Sequence, residues 1–166
     1  MADKHHVQME IADFGTISLE LDAKAAPITV KNFIFLADMG FYDGLTFHRI
    51  IKNFMIQGGD PDHNGMGGSD KNIKGEFAAN GVANPISHLR GVISMARSQR
   101  PDSASSQFFI CHKDSTFLDG QYAAFGKVTD GMDVVDAIAN MVRPIDGNGT
   151  VLFDDQPVIT KVTVID

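Results

Sequence analysis

The chain has 166 residues, 21 acidic against 14 basic side chains, a formal net charge of −7 and one cysteine, Cys111. That length suits a single domain, 1–166, with one core and no staples. The acidic balance disfavours nucleic acid and anionic membrane as partners, and a lone thiol excludes an internal disulfide and fits a reducing compartment. The polar start, Met1 to His6, and the lack of any apolar stretch of membrane-spanning length lead to the expectation of a soluble, cytoplasmic protein.

Val7, Met9 and Ile11, then Ile17, Leu19 and Leu21, alternate with polar residues about Asp13-Phe14-Gly15, which predicts a hairpin. Pro27 suits a first helical turn; Val30, Phe33, Ile34 and Ala37 follow at helical spacing, and Gly40 offers a stop. A second hairpin is predicted to turn at Lys52-Asn53. Its alternation sets Phe47, Arg49 and Ile51 on one face against His48 and Ile50, and Met55 and Gln57 against Ile56.

Gly58 to Gly75 is glycine-rich and predicted irregular. Strands are expected at Gly91–Ala96, Ser106–Cys111 and Ala123–Val128, with a loop from Arg97 to Ser105 and a turn at Leu118-Asp119-Gly120. A helix capped by Asp130 would carry Val134, Val135, Ile138 and Met141 and end at Pro144, before a last strand, Thr160–Ile165. Many short strands with two helices predict a mainly β protein, barrel or sandwich.

Several motifs fall short of chemistry. Asp60-Pro61-Asp62-His63-Asn64-Gly65 opens like a calcium loop, but the position of the bidentate glutamate is Lys71 and no flanking helices are predicted. Gly65 to Lys71 lacks a phosphate-loop ending, and the six histidines show no zinc-type spacing, so no metal site is expected. His48 reads as a hydrogen-bonded core histidine, Cys111 as a buried structural thiol, and Asn148-Gly149-Thr150 as a turn. No Gly-x-Ser-x-Gly elbow marks a hydrolase.

On Ser106–Cys111, Gln107 and Phe109 share a face opposite Phe108 and Ile110. Phe54, Met55, Phe109, Phe117 and Leu118 can then form an apolar pocket rimmed by Arg49, Gln57 and Gln107. Such a site holds no nucleophile, carboxylate pair or metal ligands; its chemistry is electrostatic and conformational.

The run Phe47-His48-Arg49-Ile50-Ile51-x-x-Phe54-Met55-Ile56-Gln57-Gly58-Gly59-Asp60 resembles the signature of the cyclophilins, peptidyl-prolyl cis-trans isomerases. The resemblance continues through Gly91-x-x-Ser94-Met95-Ala96, Ser106-Gln107-Phe108-Phe109-Ile110, Leu118-Asp119-Gly120 and Phe125-Gly126-x-Val128. It implies a closed eight-stranded antiparallel β-barrel capped by two α-helices. It also implies a cofactor-free isomerase acting on proline-containing peptides and on unfolded or folding proteins, while the acidic balance and the lack of heptads lead to the expectation of a monomer.

Carried over by position, Arg49 is the catalytic arginine with Gln57 beside it, and Phe54, Met55, Phe109 and Leu118 receive the proline ring. Ala96, Arg97, Gln107, Phe117 and Tyr122 complete the substrate groove. Phe117 stands where many relatives carry Trp, which implies reduced cyclosporin affinity; Tyr122 replaces a histidine and Arg97 an asparagine, as in a bacterial-type member. The competing reading is a proline-peptide binding module or chaperone. A metal- or sugar-binding barrel fits less well, because no ligand set clusters in the sequence.

Overall fold

A computed structural model describes residues 3–166; Met1 and Ala2, part of the polar start, lie outside the described residues. Eight strands form one antiparallel sheet: β1 (Lys4–Ile11), β2 (Gly15–Asp22), β3 (Phe47–Ile51), β4 (Met55–Gly58), β5 (Val92–Met95), β6 (Phe108–Cys111), β7 (Ala124–Asp130) and β8 (Ile159–Val164). Their order is β3-β4-β6-β5-β7-β2-β1-β8. The end strands β3 and β8 share no ladder. They meet at one bridge, Thr46↔Val158, with Phe47 N–H donating to Pro157 O at 3.0 Å and Ile159 N–H to Leu45 O at 2.7 Å. The structure is thus a curled eight-stranded sheet whose ends touch at a short seam, rather than the fully laddered closed barrel the resemblance implied.

Helices α1 (Pro27–Asp38) and α2 (Met132–Met141) pack on the sheet. The predicted stripe of α1 buries Val30, Phe33 and Ala37, with Leu36 beside them and Ile34 partly covered. No side chain of its own first turn caps α1. The buried Glu76 carboxylate does so from 47 residues away, accepting from Thr29 N–H and Oγ1 at 2.7 Å each and Ile28 N–H at 3.2 Å. The predicted Asp130 cap is displaced by one residue: β7 runs through Asp130, and Gly131, at φ 93°, turns the chain into α2. Among the described residues no helix is long and apolar enough to cross a membrane.

The sheet separates two apolar groups. Inside lies the core, with Phe33, Tyr42, Phe47, Phe108 and Phe125 in edge and tilted contacts. Outside, over β4 and β6, lies a smaller cluster of Met55, Phe109, Cys111 and Leu118, flanked by Phe54, Ala96 and Tyr122. The cross-strand pairs Met55↔Cys111 and Gln57↔Phe109 belong to the outer face, while Ile56↔Ile110 belongs to the core.

Candidate active site

The alternation predicted for β3 fails at one residue. Phe47 opposes Gly58 and Arg49 opposes Gln57, so two steps of β3 answer one step of β4. This bulge turns Phe47 into the core while Arg49 and Ile51 stay on the outer face. His48 is buried as expected, but neither ring nitrogen has a hydrogen-bond partner among the described residues, which corrects its reading as a hydrogen-bonded histidine.

Arg49 is held on three sides. Its Nε donates to Asn148 O at 2.8 Å, one terminal nitrogen to Asn148 Oδ1 at 3.2 Å, and the other to Gln57 Oε1 at 3.2 Å. A guanidinium has five N–H groups; three are engaged, and each terminal nitrogen keeps one for a ligand. Gln57 passes the chain on, donating to Gln107 Oε1 at 3.0 Å, and Gln107 donates to the carbonyls of Gly65 and Gly67 at 3.0 and 2.8 Å. Each amide in this relay accepts at one end and donates at the other, which fixes its orientation.

The relay ends on the loop that resembles a calcium site, and the loop's own bonding explains the likeness. The buried Asp60 carboxylate accepts the amides of Asp62 (2.8 Å), Asn64 (3.1 Å) and Gly65 (2.6 Å). Burial alone would raise its pKa, yet these amides, with that of Gly67, hold it below the usual range. A Cβ on Gly67 would overlap the Asp60 and Asp62 carboxylates. The loop is wound around an internal anion and so offers its carbonyls to Gln107.

Asn148 lies in the loop read only as a turn. Asp146 Oδ1 accepts the amides of Asn148 and Thr150 at 3.0 Å each, and Gly149 O accepts Ile50 N–H at 2.8 Å. Gly149 has φ +82°, and a Cβ there would come within 2.7 Å of Ile50 O. Close approach of this backbone to β3 brings Asn148 to Arg49.

Beside this wall is a cavity of about 110 Å³, lined by Arg49 and Gln57, by Phe54, Met55, Phe109 and Leu118, and by Ala96, Arg97 and Tyr122. Nine of the eleven site residues expected from the sequence therefore line one cavity. Gln107 lines a neighbouring recess of about 210 Å³ with Gly65, Gly67 and Ser105. Phe117 is 72% exposed, stands off the cavity and rests on Phe54 with ring centroids 5.6 Å apart. Cys111 lies buried beneath, its thiol pushed up to about 12 by burial, as suits a structural role.

The far rim is built differently. The Arg97 guanidinium sits between two rings, 4.8 Å from the centroid of Phe77 and 4.9 Å from that of Tyr122. Its nitrogens donate to Gln121 O at 3.0 and 2.7 Å, to Ser98 O at 2.9 Å and to Gln99 O at 3.3 Å. Its Ala96 neighbour donates its amide to Gln107 O at 3.0 Å. Behind the rim, the buried His88 stacks on Phe109 at 6.0 Å and meets Tyr122 edge-on. His88 Nδ1 pairs with Asp119 Oδ1 and Nε2 with Ser94 Oγ, both at 2.9 Å; with a proton on Nδ1 for the carboxylate, Nε2 accepts from the serine. Phe77, His88, Ser94, Asp119 and Asn148 were not singled out for the site from the sequence, because each reaches it through the fold rather than through a strand pattern.

The chain matches the family model described as "Cyclophilin type peptidyl-prolyl cis-trans isomerase/CLD" over residues 6–164. It is 49% identical over 126 residues to a Helicobacter pylori peptidyl-prolyl cis-trans isomerase, covering 75% of this chain and 74% of that one. It is 45% identical over 130 residues to Bacillus subtilis peptidyl-prolyl cis-trans isomerase B, covering 78% and 87%. Among solved structures, a Cryptosporidium parvum cyclophilin type peptidyl-prolyl cis-trans isomerase superposes with TM-score 0.86 at 29% identity, over 98% of both chains. The same protein in the presence of the dipeptide Ala-Pro gives TM-score 0.85 at 30% identity, over 97% and 99%.

Proposed function

The chain belongs to the cyclophilin-type peptidyl-prolyl cis-trans isomerases, and from that footing we propose that it isomerises X–Pro bonds by arginine stabilisation of a twisted imide. Rotation about a peptide C–N bond faces a barrier of about 18–20 kcal/mol, set by resonance. Halfway round, the proline nitrogen is pyramidal and carries a lone pair that a fixed N–H can bind. The flat ground state has no such lone pair, so the bond forms selectively in the transition state. The observation that carries this reading is Arg49, tethered by Asn148 and Gln57 yet keeping N–H groups beside an apolar cavity.

In this reading the ring of proline enters among Phe54, Met55, Phe109 and Leu118, where exclusion of water strengthens the Arg49 bond. The main chain at Ala96–Arg97, with Gln107, holds the residue before proline while the segment beyond turns. Substrates are proline-containing peptides and folding chains, a reading supported by the relative solved in the presence of Ala-Pro. The acidic surface and the lack of heptads support a monomer, and the single thiol a cytoplasmic setting.

Exchange NMR on a tetrapeptide containing Ala-Pro tests this. Uncatalysed isomerisation takes tens to hundreds of seconds; wild-type protein should bring exchange cross-peaks into the subsecond range. Folded protein that leaves the exchange unaccelerated would reduce the chain to a proline-peptide binding module.

A further inference from the structure

A larger groove lies outside the site. It has a volume of about 590 Å³ and runs between α1 and residues 69–73. Residues of α1 that the core does not use line it: Ile28 is 43% exposed, Phe35 60%, and Met39, just past the helix, 64%. The helix is therefore apolar on two faces, and only one is covered by the sheet. A contiguous exposed apolar surface of this kind marks a binding site more often than chance. Two ammonium groups, Lys31 and Lys71, line it against one carboxylate, Asp70, in a chain whose net charge is −7.

The groove adjoins the recess beside the Arg49 site at one shared post. Ser105 lines the recess beside Gln107; its Oγ accepts Ser69 N–H at 3.2 Å and its carbonyl accepts Asn32 Nδ2 at 2.7 Å, so it also fastens both walls of the α1 groove. Gly67 lines the recess and Ser69 the groove, two residues apart, roughly 7 Å along an extended chain. The α1 groove therefore lies within a few residues' reach of a polypeptide whose proline occupies the cavity and whose neighbouring residues enter the recess.

We propose that the α1 groove is a second binding site for the chain being isomerised, taking an apolar stretch flanked by carboxylates from the same unfolded polypeptide. The proposal rests on the isomerase reading for what occupies the first site, while the apolar side chains and the two lysines define what the second one takes. Two linked contacts raise apparent affinity through effective concentration, without either site becoming tighter.

The test uses the full chain and three peptides: a short Ala-Pro tetrapeptide, a proline-free peptide with Leu-Phe-Leu between glutamates, and the two joined by a Gly/Ser spacer. The joined peptide should bind wild type at least about tenfold more tightly than the tetrapeptide, and the proline-free peptide should shift amide resonances of Phe35, Met39 and Lys71. The doubly substituted Phe35→Ser, Met39→Ser protein should lose that gain while isomerising the tetrapeptide at the wild-type rate; Lys71→Glu should lose part of it. A joined peptide that gains nothing, or gains equally on the substituted protein, overturns the proposal. So do α1 resonances that shift with protein concentration alone, which would assign the groove to a second copy. Failure to accelerate the tetrapeptide would instead overturn the isomerase reading, and the binding gain of the joined peptide would still decide the second site.

Discussion

Two arginines face the same cavity and the fold treats them in opposite ways. Arg49 makes three hydrogen bonds and keeps two N–H groups for a ligand, with no ring over its face among the described residues. Arg97 is consumed: two aromatic faces cover it and four hydrogen bonds join it to backbone carbonyls. The same side chain is a presented donor on one wall and a fastener on the other. What distinguishes them is the supply of acceptors. Arg49 meets one loop residue, Asn148, through its carbonyl and its amide side chain, and one strand side chain, Gln57, whereas Arg97 meets only backbone carbonyls, of two loops, 98–99 and 121, which it ties together.

The contrast can be broken first at Arg49. Arg49→Ala should lower turnover of an Ala-Pro peptide by about two to three orders of magnitude, the range for loss of one transition-state donor, while peptide binding weakens far less. Exchange spectroscopy with a parallel titration separates the two; equal losses in both would make Arg49 a binding residue only.

Arg97→Ala should act on the other quantity. Untying the loops widens the groove, so KM should rise about tenfold with turnover at saturation within about twofold. Loss of two cation–π contacts should cost on the order of 1–2 kcal/mol in stability. Arg97→Lys keeps the charge but not the flat stack and should recover little. A fall in turnover matching that of Arg49→Ala would erase the distinction.

Acid should reach the Arg97 rim through His88. Burial holds its imidazole below the usual range, against the opposing pull of Asp119, and burial likewise lowers His48. The unfolded chain then takes up protons more readily than the folded one. The stability these residues contribute is complete above about pH 6.5, the ordinary imidazole value, and is lost as pH falls from there through the lower folded values. Thermal melts should be level above about pH 7 and decline below about 6.5, and His88→Gln should flatten part of that decline. A level profile down to pH 5 would contradict the burial argument.

The smallest effect concerns Phe117, exposed and off the cavity. Phe117→Trp should leave Ala-Pro turnover unchanged and tighten cyclosporin several-fold by calorimetry, since the resemblance links an indole there to that ligand. Unchanged or weaker cyclosporin binding would mean the position has a different role here.

What was legible in the sequence follows from what is local. Alternation placed Met55, Gln57 and Phe109 on the groove side of their strands, and the hairpin turn at Lys52-Asn53 stands where expected, with Asn53 at φ 66°. Phe47 was misplaced because a bulge changes the count between two strands, which one strand's pattern does not record. The supports were hidden for a related reason: Asn148 is 99 residues from Arg49, and Glu76 caps a helix 47 residues before it. Turn residues and a lone carboxylate carry no sign of distant partners. The Asp60 loop shows the converse, since a carboxylate ringed by its own amides has the same spacing as one built for an ion, and only Lys71 and the missing helices tell the two apart in sequence.

One sheet carries both clusters, with core residues on one side of β4 and β6 and groove residues on the other. This lets selection act on them separately. Ile56 and Ile110 can be held by packing while Met55, Phe109 and their neighbours drift toward a new preference, and a change on the outer side leaves the inner jigsaw almost untouched. A lineage can therefore retune which peptides it accepts in small steps, without first accumulating spare stability.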